Sequence, residues 1–448
     1  MNNGLTSTIC ALATAPGGAL GIVRVSGPHA FSIVSTLCSV SCANCAANTT
    51  HYTSLIAPVP AGSTAGQEVI DDVLVTIFHA PHSYTGEDSV EISCHGSQYI
   101  LNRVLELLVQ QGCRMALPGE YTMRAYLNGK MDLSQAEAIA DLIASTNKAT
   151  HRLAMSQLRG GISTELSRLR DQLLKLTSLL ELELDFSDHE DLEFADRSEL
   201  RKLAQKIDAQ ITHLSDTFQT GNALKNGIPV AIVGAPNVGK STLLNALVGE
   251  ERAIVSDVQG TTRDAIEDTI MLGGITFRFI DTAGIRHTSD QIEQMGIDRS
   301  LTAAQRATII LMMTEPGVPY PDIPIRDDQI VIRIENKTEK FQAKYGIGLD
   351  DLRNQLLAAA PQSADTDIII TNARHHEALL RAHEHLQRVL AGLSAANSPF
   401  SILHSQLPPD LVAEDLRLTI DALADITGGQ ITPQETLNNI FSHFCVGK

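Results

Sequence analysis

Pro229-Val-Ala-Ile-Val-Gly-Ala-Pro-Asn-Val-Gly-Lys-Ser241 decides the fold. Val230 to Val233 is a short apolar run with strand composition. A glycine loop follows it, and a helix opens at Lys240 and continues through Thr242-Leu-Leu-Asn-Ala-Leu-Val248. Gly234, Gly239, Lys240 and Ser241 fit the spacing G-x-x-x-x-G-K-S. Glycines there let backbone N–H groups turn inward around a phosphate, and the helix N-terminus adds its positive dipole end. Lys240 is placed to reach the outer phosphates, and the Ser241 hydroxyl to ligate magnesium. A chance glycine turn is the bland alternative, but strand, loop and helix come in the order the motif requires.

Three further stretches fall where a GTPase needs them. Gly260-Thr-Thr-Arg-Asp264 reads as the first switch, with the Thr262 hydroxyl completing the magnesium shell. Asp281-Thr-Ala-Gly284 follows the strand Thr276 to Ile280, with Asp281 toward magnesium and the Gly284 N–H toward the γ-phosphate. Asn336-Lys-Thr-Glu339 follows the strand Ile330 to Ile334 at the guanine-reading position. Four elements in order predict a GTPase rather than a generic P-loop ATPase. The expected nucleotide contacts are Asn237, Val238, Gly239, Lys240, Ser241 and Thr242 in the loop, then Gly260, Thr261 and Thr262, then Asp281, Thr282, Ala283 and Gly284, and at the base Asn336, Lys337 and Glu339.

Two departures bear on mechanism. Ile285 stands where Ras-type enzymes orient the attacking water with glutamine, so another group must position the water and some positive charge must stabilise the transition state. Asn237 carries an amide oxygen where it could ligate a cation near the phosphates. At the base, Glu339 replaces the aspartate of N-K-x-D and adds a methylene. The nearest match to Ser-Ala-Lys is Gln342-Ala-Lys344, only three residues on, so the intervening segment is short.

A chain of 448 residues has room for about three domains, and 43% hydrophobic residues allow sizeable cores. Lys and Arg number 34 against 52 Asp and Glu, a net charge of −18. Such a chain has no bulk attraction for nucleic acid, so RNA contact must come from a local basic patch or a partner. MNNGLTSTICALATAP lacks a basic n-region, no apolar run approaches the ~18 residues of a membrane span, and seven scattered cysteines suit a reducing compartment. We expect a cytoplasmic protein with no membrane contact.

Residues 1–122 read as an α+β domain. Gly21 to Gly27, Val73 to Phe78 and Ser89 to Ser93 have strand character. Tyr99 to Gln111 is helical and stops at Gly112. The Ala/Ser/Asn/Thr-rich stretch 35–50 reads as a loop. It holds Cys38, Cys42 and Cys45, whose spacing is the one radical-SAM enzymes use for an iron–sulfur cluster. No βα repeats follow and no fourth ligand is near, so we read a metal-free loop. Residues 123–220 read as the first part of a helical domain, with a capping box at Ser134 and Glu137, a helix running toward Leu158 and a break at Gly160-Gly161. The acidic stretch Asp185 to Glu193 reads as a solvated connector rather than a metal site. An α/β nucleotide module occupies 221–373, and helices resume over 374–448, the last opening at the capping box Thr432-Pro-Gln-Glu435. The economical architecture is one helical domain with the module inserted into it. His375, His376, His383 and His385 read as a solvated helix face.

Over its whole length the chain resembles the MnmE/TrmE family of tRNA uridine modification GTPases. The matches are Gly21-Ile-Val-Arg24-Val-Ser-Gly27, Tyr84-Thr-Gly-Glu-Asp88, the block from Pro118 through Lys130 to Leu142, the nucleotide loops and Phe444-Cys-Val-Gly-Lys448. The resemblance implies an N-terminal domain that dimerises and binds formyl-tetrahydrofolate through Arg24, Glu91, Lys130 and Lys448. From the residues alone, Arg24 and Glu91 look like an ordinary ion pair. It implies potassium in place of an arginine finger, held by Asn237, Ser256, Val258 and Thr261, and it extends the GTP contacts to Ser256, Asp257, Val258 and Gln259. Glu293 matches the residue that orients the catalytic water, which makes Glu293, Thr262 and Lys240 the expected catalytic set. Members act with an FAD-containing partner, as a heterotetramer, to modify C5 of the wobble uridine of certain tRNAs. That partner would bring the tRNA to an acidic chain. The expectation is therefore a homodimeric, potassium-stimulated GTPase using GTP, magnesium and a folate one-carbon unit. The alternatives are a folate-binding scaffold with a nearly inactive G domain and a ribosome-assembly GTPase, the latter lacking an evident basic RNA-binding surface.

Overall fold

The computed structural model describes residues 6–58, 68–185, 197–250, 268–280, 301–361, 368–394, 409–429, 434–442 and 444–447. The chain divides into two compact units, 1–140 with 424–448, and 141–423.

The first unit is built on a six-stranded sheet of β1 (Ile9–Leu12), β2 (Leu20–Ser26), β3 (Thr49–Ala57), β4 (Glu68–Phe78), β5 (Ser89–His95) and β6 (Arg114–Met115), in the order β3-β4-β5-β2-β1-β6. Alternation along β2 sends Val23 and Val25 into the core, so Arg24 lies on the opposite face, where its register partner on β5 is Glu91. Helices α1 (Ala30–Leu37) and α2 (Gln98–Gln110) supply Phe31, Val34, Leu37, Leu101, Val104 and Leu108 to the same core. The expected 35–50 loop is thus partly regular. It completes α1, bridges Cys38 to Leu55 and makes a 3₁₀ turn at Cys42–Asn44. Its cysteines act as small apolar groups: Cys38 and Cys42 are buried, and Cys38 gives its S–H to the Val34 carbonyl.

Helix α3 (Glu120–Leu127) follows, then α4 (Leu133–Ala144). The cap of α4 lies two residues ahead of the expected Ser134/Glu137 box. Asp132 Oδ1 accepts from the Gln135 N–H at 2.9 Å, and Gln135 Oε1 accepts from the Asp132 N–H at 3.0 Å. The pair obeys the same reciprocal rule with other residue types. Nor does this helix continue to Leu158. Asn147 caps a separate helix, α5 (Lys148–Leu158), by accepting from the Thr150 N–H at 2.9 Å.

The second unit contains α5 and the long helices α6 (Gly161–Asp185) and α7 (Arg197–Asn226). Leu166, Leu169, Leu173, Leu176 and Leu180 of α6 are all buried, as their three- and four-residue spacing requires. A second sheet is formed by β7 (Ile228–Gly234), β8 (Asp268–Leu272), β9 (Ile275–Phe279), β10 (Ile309–Thr314) and β11 (Ile330–Glu335), ordered β11-β10-β7-β9-β8. All neighbours are parallel except β8 and β9. Helix α8 (Lys240–Glu250) and α9 (Leu349–Ala359) cover one face, around Leu243, Leu247, Phe277 and Leu352. Residues 315–329 link the parallel neighbours β10 and β11 without a helix. Pro316, Pro319, Pro321 and Pro324 fix φ in that strap and deny it helical hydrogen bonds.

Helices α10 (Ala373–Ser394), α11 (Pro409–Thr427) and α12 (Gln434–Ser442) complete the chain. The histidines of α10 do not form a solvated face. His375 is buried, His376 stacks on Phe218 at 4.3 Å, His383 bonds Asp208 at 2.7 Å, and His385 bonds Asp415 at 3.3 Å. His383 and His385 meet carboxylates of α7 and α11 and His376 meets a ring of α7, contacts that sequence spacing cannot distinguish from water. The Thr432 capping box lies outside the described residues, as do residues 186–193 of the acidic stretch.

Candidate nucleotide site

The strand order reverses at β7, whose neighbours β9 and β10 lie on either side. Ligands of open α/β sheets bind beyond the carboxyl ends of strands at such a point, and the glycine loop leaves β7 there. Two residues turn it, Asn237 at φ +63° and Gly239 at φ +100°. Asparagine tolerates the left-handed region better than most side chains. At Gly239 a methyl group would come within 2.5 Å of Asn336 Nδ2. Gly239 then starts the helix by accepting from the Leu243 N–H at 2.9 Å.

Lys240 Nζ donates to the Gly234 carbonyl at 2.7 Å and the Ala235 carbonyl at 2.9 Å, folding its charge back over its own loop. Burial lowers its pKa. Ser241 is half-buried on the first turn of α8, while Asn237 and Thr242 are exposed and Val238 is buried.

The base-reading residues are fastened to this loop. Asn336 is buried; its Nδ2 donates to the Val238 carbonyl at 2.7 Å, and its Oδ1 accepts from the Ala343 N–H at 3.1 Å. The short segment after it is a tight turn in which Thr338 N–H bonds the Phe341 carbonyl at 3.1 Å. Lys337, also left-handed at φ +63°, is ion-paired with Glu315 at the end of β10. Glu339 is exposed on the turn. The Lys337–Glu315 pair was not legible beforehand, because its partner comes from a different strand end.

Ser256, Asp257, Val258, Gln259, Gly260, Thr261, Thr262, Asp281, Thr282, Ala283, Gly284 and Glu293 lie outside the described residues. Described strands bracket them, since β8 opens at Asp268 and Ile280 N–H still bonds the Val230 carbonyl at 3.0 Å.

In the first unit, Arg24 is the centre of a second constellation. Its guanidinium bonds Glu91 at 2.9 and 2.7 Å, donates to the Gly447 carbonyl at 3.2 Å, and stands 5.6 Å from the ring centres of both Tyr84 and Tyr121. Lys130 Nζ donates to the Pro81 carbonyl at 2.8 Å, on the loop that also carries Tyr84. Lys448 lies outside the described residues. The contacts of the tyrosines and of the Gly447 carbonyl with Arg24 were not legible in the sequence, although Tyr84, Tyr121 and Gly447 all stand in stretches that carry the family resemblance. Beneath them a buried charge network runs through α3. Glu120 bonds Arg114 at 2.5 Å and Arg124 at 2.9 Å, and Arg124 reaches Glu87 at 3.1 Å. Burial pushes the Glu120 carboxyl up, but the hydrogen bonds from Arg114, the Leu117 N–H and Arg124 outweigh it and hold the pKa below the usual value. Burial raises the Tyr84 and Tyr121 hydroxyls. Among the described residues, no cluster of three or more His, Cys, Asp or Glu is arranged to hold a metal, and no helix is long and apolar enough to cross a membrane.

The model of the MnmE helical domain matches residues 133–445, and that of the GTP-binding protein TrmE N-terminus matches residues 8–130. A tRNA modification GTPase MnmE of Bacteroides fragilis is 49% identical over 98% of this chain and 99% of its own length. That of Bacteroides thetaiotaomicron is 50% identical over the same shares, and that of Porphyromonas gingivalis 46% identical over 98% of each. The first alignment spans 477 positions against 448 residues here, so the relative carries segments that this chain lacks.

Proposed function

This chain belongs to the tRNA modification GTPase MnmE family, and from that premise we propose that it hydrolyses GTP to GDP and phosphate in a potassium-stimulated reaction that serves modification of C5 of the wobble uridine in certain tRNAs. The observation that carries this reading is the Lys240 ammonium folded over a left-handed loop at the switch point of a parallel sheet, with the base-reading Asn336 bonded to the same loop. Among the described residues the Lys240 ammonium bonds neutral carbonyls alone, which suits a phosphate that would give it a full counter-charge.

In this reading Lys240 neutralises charge on the outer phosphates. Ser241 and Thr262 would hold magnesium, and Asn237 with Ser256, Val258 and Thr261 would hold potassium. The exposed, left-handed Asn237 has an amide free to turn toward a cation. These ions supply positive charge where transferring phosphoryl groups develop negative charge. Glu293 orients the water that Ile285 cannot. Arg24, Glu91, Lys130 and Lys448 would hold formyl-tetrahydrofolate. The described part of that set fits such a ligand, since it offers a cation, a carboxylate and two tyrosine faces. The proposal further includes a homodimer, an FAD-containing partner in a heterotetramer, tRNA contact largely through that partner, a G domain inserted in a helical domain, and residence in the cytoplasm.

A second reading, a folate-binding scaffold whose G domain scarcely turns over, is favoured by one observation: Lys337 is paired with Glu315 and Glu339 is left exposed. GTP turnover measured in potassium and in sodium, with and without the flavoprotein, separates the two. The proposed function expects potassium to raise the rate and Asn237→Ala to abolish that rise. Equal turnover in both salts, or a negligible rate with the flavoprotein present, removes it.

A further inference from the structure

We propose that the exposed face of α5 docks on the phosphate backbone of tRNA, so that this chain makes an RNA contact of its own; the inference rests on the tRNA-modification reading. Between Asp141 and Glu165 the sequence has no acidic residue, although the chain as a whole carries −18. Within that window Lys148, Arg152 and Arg159 stand at steps of four and seven, which places them on one side of a helix, with His151 beside them. Lys148, His151 and Arg159 are exposed and Arg152 is half-buried.

Basic residues on a surface are ordinarily offset by nearby carboxylates. Here the two acids that bound the window are engaged elsewhere: Asp141 pairs with Lys225 at 2.7 Å, and Glu165 pairs with Arg168 at 3.3 Å. Among the described residues the side chains of Lys148, His151 and Arg159 have no hydrogen bond or ion pair. The stripe from Lys148 to Arg159 covers about 16 Å at ~1.5 Å per residue. Along one strand of a duplex that distance passes several phosphates, which are spaced about 3.4 Å on the axis. The N-terminus of α5 adds its dipole at the Lys148 end. Phosphate is therefore the chemistry that this face fits, and its lack of base-reading geometry makes the contact independent of sequence.

The same helix is bolted to the nucleotide-binding sheet. Asn147 Nδ2 donates to Thr276 Oγ1 at 2.9 Å, and the Ala149 N–H bonds the Gly274 carbonyl at 3.2 Å, both on the β8–β9 hairpin. Contact with RNA at α5 is thus one hydrogen bond from the hairpin that joins the two switch stretches.

The test is fluorescence anisotropy of an end-labelled, unmodified tRNA transcript with the full-length protein, at salt from about 50 to 200 mM. Lys148→Gln/Arg159→Gln should weaken binding on the order of tenfold or more at the lower salt, and should flatten the plot of log K against log salt by about 0.7–0.9 for each phosphate no longer neutralised. GTP turnover without RNA should not change. Arg201→Gln/Lys206→Gln, which removes two exposed charges on α7, should leave both readings nearly as in the wild type. The proposal is overturned if the α5 variant binds like the wild type, if the α7 variant loses as much, if the wild type does not bind tRNA at low salt, or if the α5 variant keeps tRNA and instead loses an acidic protein partner. Failure of the GTPase reading would look different, as absent turnover in a wild type that still binds tRNA.

Discussion

Asn336 donates its side-chain N–H to the Val238 carbonyl at 2.7 Å, joining the end of β11 to the phosphate loop, and its oxygen accepts from Ala343 on the following turn. One buried side chain therefore holds three loop segments in register. Gly239 is the residue that lets it approach. Gly239→Ala should strain the left-handed backbone and drive a methyl group into Asn336. We expect a destabilisation of about 1–3 kcal/mol and loss of measurable GDP binding in a calorimetric titration. A Gly239→Ala protein that binds GDP normally would show that this contact does not organise the site.

Lys240 sets a pH dependence. Its pKa is lowered by burial, so below the unfolded value and above the folded one the native state binds fewer protons than the unfolded chain. Stability through this group therefore rises with pH across that window. A phosphate at the loop restores the charge. Nucleotide binding should take up protons at alkaline pH, and affinity should fall as pH rises through the lowered pKa. GDP titrations in two buffers of different ionisation heat measure the uptake, which Lys240→Met should remove.

Glu339 should read guanine with a reduced margin. A carboxylate can accept from both guanine N1–H and the exocyclic amine, and sites of that kind reject analogues by about 10⁴–10⁵. The longer, exposed side chain gives up part of that to rotamer entropy. Glu339→Gln should weaken GDP and favour xanthine nucleotides, whose extra oxygen accepts from an amide. Unchanged GDP binding by Glu339→Gln would place the base elsewhere.

Arg24→Ala should lower affinity for formyl-tetrahydrofolate, because it removes the cation that Glu91, Tyr84, Tyr121 and Gly447 converge on. Calorimetry with the wild type at high ligand concentration must first show heat; silence there rules out the site.

Glu120→Gln leaves Arg114 and Arg124 without their shared carboxylate, and breaking a buried pair costs about 3–5 kcal/mol. Because the folded Glu120 pKa is depressed, its contribution is present above the unfolded value and disappears as pH falls through the folded one. Urea midpoints at neutral and acid pH should therefore converge between wild type and variant. A constant gap down to full protonation would mean that shape rather than charge is lost.

The phosphate loop was legible because few residue types can bring backbone N–H groups round an anion, and those residues are adjacent in the chain. The long strands and the leucine face of α6 were legible for the same local reason, periodicity. Misreadings arose where two local patterns competed. Ser134/Glu137 and Asp132/Gln135 both satisfy a capping rule, and only the backbone chooses between them. The α4–α5 break was missed because Asn147 is an ordinary polar residue until its Nδ2 finds Thr276. The histidines of α10 look solvent-facing because a polar neighbour helix and water impose the same pattern. Around Arg24 the Glu91 ion pair was legible, but the Tyr84 and Tyr121 rings and the Gly447 carbonyl were not, since they come to it from distant parts of the chain.

That return has a cost in time. A Cβ at Gly447 would collide with the Leu12 carbonyl, and Gly119 donates its N–H to the Cys445 carbonyl. The first 140 residues leave the ribosome without these closing pieces, and residues 141–423 must be made before the rest of their unit exists. At about 5–20 residues per second that wait is roughly 15–60 s. Until then Arg24 can have Glu91, Tyr84 and Tyr121 beside it, but not the Gly447 carbonyl. Domains usually finish in the order they are synthesised, whereas this one begins first and closes last.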